Sequence, residues 1–200
     1  MARLALNKST LNKEGRKVRA YQKFVPALDL KRKQLLAARA TAEQVLQQQQ
    51  HALLQVEQQV RAELSMLPNF QGRVDQLVSI QSIEIEQVNL VGIRLPELKS
   101  LEVVLEPYSC LGTDHWLDHL AKLLQSQVTL QVQQQLIHKR LECLNQGLQK
   151  TTQRLNLFDK VLIPQARQNI RKIQIALADA ERAGVVRAKI AKRKRIGVSL

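Results

Sequence analysis

From Ile137 to Ala188, apolar or small residues recur at steps of three or four: Ile137, Leu141, Leu144, Leu148, Thr151, Leu155, Phe158, Leu162, Ala166, Ile170, Ile173, Leu177, Ala180, Gly184 and Ala188. That spacing places one unbroken stripe on one face of an α-helix. A second stripe, at steps of three, four or seven, runs through Leu11, Val18, Tyr21, Val25, Leu28, Leu35, Ala38, Ala42, Val45, Gln49, Leu53, Val56, Val60, Leu64 and Leu67. Neither helix can bury its stripe alone. Two stripes of similar length predict a mainly α protein built on a long antiparallel two-helix coiled coil. At 1.5 Å per residue the first helix would be about 85 Å long and the last about 120 Å. A parallel homodimer is the other pairing that the pattern allows.

Breakers and alternation divide the chain into an N-terminal helix over 1–67, a middle region over 68–112 and a C-terminal helix with a basic tail over 113–200. Ser9 or Asn7 is placed to cap the first helix near Thr10. Pro26 predicts a kink or short break, and the helix should stop near Pro68. Proline and glycine cluster in the middle, at Pro68, Gly72, Pro96, Pro107 and Gly112. A short helix is expected around Arg73 to Ser79. Beyond it Ile83, Ile85, Val88 and Leu90 nearly alternate with polar residues, as do Ile93, Leu95, Leu101 and Val103. With Gly92 between the runs, this reads as a β-hairpin turning near Asn89 to Gly92. A lone hairpin is marginal and must lean on other elements. Thr113 and Asp114 suit the start of the last helix, and Trp116, Leu117, Leu120, Leu123 and Leu124 could hold the hairpin. Pro164 predicts a bend near Leu162. Alanines between Ala176 and Ala191, with Gly184, predict close approach of a partner helix.

Composition agrees with long helices rather than a compact core: aromatics are 3%, and glycine and proline total twelve residues. The net charge of +14 is uneven, because residues 1–40 and 160–200 each hold eleven Lys/Arg against two Asp/Glu, leaving the middle at −4. A hairpin fold would gather both basic segments at one end and steer it towards acidic partners. The run Lys189, Lys192, Arg193, Lys194 and Arg195 also allows electrostatic nucleic-acid binding, without interleaved aromatics to stack bases. No phosphate loop, dinucleotide fingerprint or nucleophile elbow occurs. His115 and His119 are four apart, but the glutamate of HExxH and a third ligand are missing, so no metal or cofactor is expected. Cys143 reads as a small apolar filler, and no signal peptide or apolar span of about 18 residues is evident. The expected setting is the cytoplasm.

Four stretches bring a family into view: Lys31-Arg32-Lys33-Gln34-Leu35-Leu36; Asn89-Leu90-Val91-Gly92-Ile93-Arg94-Leu95-Pro96; Arg154-Leu155-Asn156-Leu157-Phe158-Asp159-Lys160-Val161-Leu162-Ile163-Pro164; and the basic Arg187 to Lys194. In this order the chain resembles the D subunit of the V-type ATPases and ATP synthases, the third stretch being the most specific. The resemblance implies a non-catalytic rotor shaft in the central stalk. The coiled coil would stand inside a catalytic hexamer of A and B subunits, with the stalk's F subunit on the coiled coil and a stalk-to-ring adaptor near the membrane. It would couple ATP synthesis or hydrolysis to proton or sodium transport, peripheral to the membrane through the complex. Lys189, Lys192, Arg193, Lys194 and Arg195, together with hairpin residues Ile85, Val88, Leu90, Gly92 and Ile93, are the expected partner contacts. Leu35, Val56, Val60, Leu141, Leu148, Leu155, Phe158, Leu162, Ile170, Ile173 and Leu177 are the expected seam. A basic coiled-coil nucleic-acid binder and a generic helical adaptor are the competing readings.

Overall fold

The computed structural model describes residues 4–64, 67, 77–107 and 116–197. Helix α1 spans Lys8–Glu63; strands β1 (Val78–Leu90) and β2 (Ile93–Leu105) form an antiparallel hairpin; helix α2 spans Leu117–Asn156, a π-helical segment spans Leu157–Leu162, and helix α3 spans Ile163–Gly197. The fold is thus two long helical stretches around a two-stranded hairpin. The chain divides into two compact units, one of Met1–Lys31 with Thr151–Leu200 and one of Arg32–Lys150.

In the second unit, α1 and α2 run antiparallel. Leu35 and Ala42 share a core with Leu144 and Leu95, Gln49 Nε2 donates to Gln133 Oε1 at 3.1 Å, and Glu63 meets His119. Positions rising along α1 meet positions falling along α2, so the seam is an intrachain pairing. The stripe assigns Val45 to that seam. It is exposed instead, and Leu46 is half-buried in its place. Steps of four then three from Ala42 through Leu46 to Gln49 satisfy the helical period as well as three then four, and the larger side chain takes the interface.

The hairpin turns on Val91 and Gly92, with φ of 52° and 80°. Two successive left-handed residues make the tight turn whose twist matches paired strands. Gly92 N–H donates to Asn89 Oδ1 at 2.9 Å, which closes the turn. Extra residues at Gln81 in β1 and Lys99 in β2 interrupt the register. These bulges explain why the alternation in the sequence is only approximate. The base of the hairpin is held twice. Glu106 N–H bonds Leu77 O at 3.0 Å, and Gln125 Nε2 on α2 donates to Val103 O at 2.9 Å. Leu64, Leu77, Leu117 and Leu120 form a second buried cluster there, with Trp116, Leu123 and Leu124 against it. The apolar start of the last helix therefore does hold the hairpin. Toward the tip, Leu95 is fully buried against Leu35, Ala42 and Leu144, and Ile93 packs over Gly147. A Cβ at Gly147 would stand 2.0 Å from Ile93 Cδ1, so any larger residue there requires the Ile93 side chain to move.

The helix expected around Arg73 to Ser79 does not extend to its end, where Val78 and Ser79 belong to β1; residues 73–76 lie outside the described residues. Thr113, Asp114, His115 and Pro68 lie outside them too. Helix α1 ends at Glu63, where Leu64 N–H makes a last bond to Val60 O and Leu67 N–H tightens onto Leu64 O. At its start Asn7, not Ser9, is the cap: Oδ1 accepts from Thr10 N–H at 2.7 Å. Pro26 does not break α1, which is continuous through it. The proline is exposed, and the half-buried Val25 and Leu28 beside it stay in the seam, so long flanking helix carries one missing hydrogen bond.

In the first unit Tyr21 and Phe24 meet Phe158, with ring centroids 5.3 and 6.3 Å apart. At the expected bend near Leu162 the helix widens: Ile163 N–H reaches back five residues to Phe158 O. The sequence carries the cause. A heptad seam alternates steps of three and four, but Phe158, Leu162, Ala166 and Ile170 are separated by three fours in succession. That leaves one residue too many, and a wide turn absorbs it. Pro164 follows in the first turn of α3, where its missing N–H costs little.

Candidate interaction surfaces

The expected seam residues differ in burial. Leu35 and Ile173 are fully buried, and Val56, Val60, Leu141, Leu148, Leu155, Phe158, Leu162, Ile170 and Leu177 are half-buried. The stripe loses its cover after Leu177. From Ala178 to Arg195 every residue of α3 is exposed, including Ala180, Gly184 and Ala188, and nothing lies within 4 Å of where a Gly184 Cβ would be. The alanine-rich stretch therefore has no close partner helix among the described residues, contrary to expectation. The reason is length. Ile173 is the last buried residue of α3, and helix α1 begins only at Lys8.

This free stretch carries Arg182, Arg187, Lys189, Lys192, Arg193, Lys194 and Arg195 against Asp179 and Glu181. Its large apolar side chains Val185, Val186 and Ile190 are about half exposed, with Val186 at 54%. The five basic residues expected to contact partners all face solvent. By composition the first unit holds twenty Lys/Arg and five Asp/Glu, a balance of +15, whereas the second holds eleven and twelve, −1. Essentially the whole net charge belongs to the first unit.

The hairpin candidates divide. Ile85 and Val88 are exposed, as is Gly92 at the turn, but Leu90 and Ile93 pack on the core around Leu35 and Leu144. The exposed pair can meet a partner; the packed pair fixes the hairpin to the helices.

A further feature has a single forerunner in the sequence pattern. In the second unit, a cavity of about 370 Å³ opens between α1, β2 and α2, with Ala42, Val45, Leu98, Leu136 and Ile137 as apolar walls and Glu97 and Arg140 as charged ones. Its one advance sign is Val45, a large apolar residue one step off the better stripe position.

His119 Nε2 lies 2.5 Å from Glu63 Oε2, and no group of three metal-binding side chains occurs among the described residues. Cys143 is free and half-buried against the Leu35–Leu144 core, as an apolar filler would be. Lys17 Nζ bonds Glu14 Oε1 at 2.7 Å, and that hydrogen bond, with the carboxylate charge, raises the ammonium pKa above its usual value. Among the described residues no helix is long and apolar enough to cross a membrane.

Long paired helices, a braced hairpin and an uncovered basic helix end define a helical component whose exposed surfaces suit binding to other proteins. Comparison with known proteins gives the particular family. The family model for the ATP synthase D subunit matches residues 10–193, and the chain belongs to that family. Relatives named as the D subunit of V-type ATP synthase include those of Borreliella burgdorferi, 29% identical over 96% of this chain and 95% of that protein, and Chlamydia muridarum, 30% identical over 96% of each. The Chlamydia felis protein is 27% identical over 96% of this chain and 94% of its own.

Proposed function

We propose that this chain is the rotor shaft in the central stalk of a V-type ATPase or ATP synthase. It has no catalytic role itself. It stands in a hexamer of A and B subunits, with the F subunit and a stalk-to-ring adaptor as further partners. Its turning couples ATP synthesis or hydrolysis to proton or sodium movement through a membrane ring, and the complex holds it peripheral to the membrane.

Beyond family membership, the observation that carries this reading is the uncovered end of α3. A stretch of 18 consecutive helical residues, Ala178 to Arg195, is exposed throughout. Helices of ordinary proteins gain their stability from a packed face. This one combines half-exposed Val185, Val186 and Ile190 with seven basic residues, the surface expected of a segment housed in an acidic sleeve. Within the sleeve its contacts would be many and individually weak, which suits a part that must move past successive subunits.

The test is a chain truncated after Leu177, assembled with the other subunits. The shaft reading expects a folded chain and an assembled complex whose ATP hydrolysis is uncoupled from ion movement. Full coupling by the truncated chain would refute it. The +15 charge of the first unit also favours a nucleic-acid reading. That reading expects DNA affinity falling steeply between about 50 and 200 mM salt, at about the slope of several released counterions.

A further inference from the structure

The cavity between α1, β2 and α2 borders the seam at Ala42, Gln49 and Gln133, and three observations describe what would fill it. Its walls are apolar but continue outside it. Leu98 in the wall is paired across the strands with Ile85, which is 52% exposed, and Leu101 with Ile83, also exposed. Directly paired residues share a face of the hairpin. The apolar surface is therefore longer than a pocket of about 370 Å³ needs for a small ligand, and it runs as a strip.

The second observation is charge. Arg140 is half-buried in the wall, yet it makes no ion pair among the described residues, and neither does Glu97. A guanidinium partly withdrawn from water gains from a carboxylate, and the two charges are not joined to each other. Alongside them, Gln49 Oε1 is buried and takes no donor among the described residues. The third observation is Pro96. It lies in β2 at the cavity, where its missing N–H hinders pairing of an added strand. An occupant would enter by its side chains rather than extend the sheet.

We propose that this groove receives an amphipathic helix of a partner protein. One large apolar side chain of that helix seats against Ala42, Val45 and Leu98, a carboxylate meets Arg140, and a basic group meets Glu97. The proposal rests on reading the chain as a subunit of a multiprotein complex, not on its rotation. Val45 and Arg140 are binding residues for that helix.

The test uses the full chain produced together with its natural partners. A photocrosslinking residue at position 45 should capture one protein, through a segment with helical apolar spacing and an acidic flank. Arg140→Glu should lower recovery of that protein about tenfold or more, the scale of a lost interface anchor, and a carboxylate-to-arginine exchange on the partner should restore it. Val45→Arg should act in the same direction if Arg140→Glu disturbs folding, with far-ultraviolet circular dichroism checking each variant. Undiminished recovery with both variants overturns the proposal, as does a crosslink only to a small molecule or lipid, or no crosslink. Failure of the unaltered chain to recover any ATPase subunit would refute the shaft reading instead. A position-45 crosslink to a single helix would then still establish the groove as a docking site.

Discussion

Removing one residue from the helical stretch after Thr151 should have opposite consequences at two nearby positions. Lys160 lies inside the π segment and Gln168 in regular α3, and both are exposed and polar. Deleting Lys160 removes the surplus residue, so the wide turn closes to an ordinary one. Phe158 upstream and Ala166, Ile170 and Ile173 downstream then remain on one face. Deleting Gln168 leaves the wide turn intact and rotates everything after it by about 100°. Ile173, fully buried, would leave the interface, and half-buried Ile170 and Leu177 would turn with it. Burying a large aliphatic side chain is worth about 1.5–3 kcal/mol, so the loss is about 4–5 kcal/mol for the three together. The Lys160 deletion should stay within about 1 kcal/mol of the parent, since it loses one exposed side chain and improves backbone hydrogen bonding. Urea unfolding followed by circular dichroism, with amide exchange across 169–177 to detect local fraying, separates the two. Equal losses, or a larger loss for Lys160, would refute the idea that the π segment absorbs a surplus residue.

Other substitutions test the remaining parts of the fold. Leu144→Ala should cost about 2–5 kcal/mol in urea unfolding, because Leu144 is fully buried where both helices and Leu95 converge. Gly147→Ala gains helix propensity but drives a methyl into Ile93 Cδ1; a net loss of about 1–2 kcal/mol and faster amide exchange in β2 are expected from that overpacking. Val91→Asn should slow exchange at the hairpin tip and stabilise it by about 1 kcal/mol, since a β-branched residue is poorly suited to a φ of 52°. The Lys17–Glu14 pair raises the lysine pKa from 10.5, so its contribution is fully present below pH 10.5 and is lost as pH rises through the higher folded value. Lys17→Met should flatten that part of the stability–pH curve, and an unchanged curve would show the pair to be inert.

Burial periodicity reports which face of a helix is covered, and it does so well where a large residue has no rival. Leu144 and Ile173 are of that kind, and both are fully buried. At Val45 and Leu46 two apolar residues compete for one place in the stripe. The choice depends on the opposite helix and on β2, which the local pattern does not encode. The turn at Val91 and Gly92 is legible because Asn89 and Gly92 carry local chemistry, a side-chain acceptor and a tolerance of positive φ. The groove is not legible, because Val45, Leu98 and Arg140 come from three elements far apart in the chain. The exposed end of α3 escapes the pattern for a related reason. Alanine at helical spacing suits close packing, but it also suits a helix with nothing against it, and only the length of the opposite helix decides between them.

The two prolines show how one residue type is resolved by context. Pro26 lies within α1 and interrupts neither the helix nor the seam, with Val25 and Leu28 still half-buried beside it. Its cost is a hydrogen bond and a clash with the preceding turn, about 3 kcal/mol, which the flanking seam must offset. Pro164 follows a place where the seam is already out of step, and the backbone widens before it, so that the proline falls in a first helical turn. The surplus residue and the proline therefore share one irregularity instead of making two. Around it Leu157, Val161 and Phe24 are each about half exposed, Phe24 at 55%, and the π segment has no buried residue. The irregularity thus falls where little packing is lost. The buried positions on either side, Thr151 before it and Ile163, Ala166 and Ile173 after it, keep the interface intact.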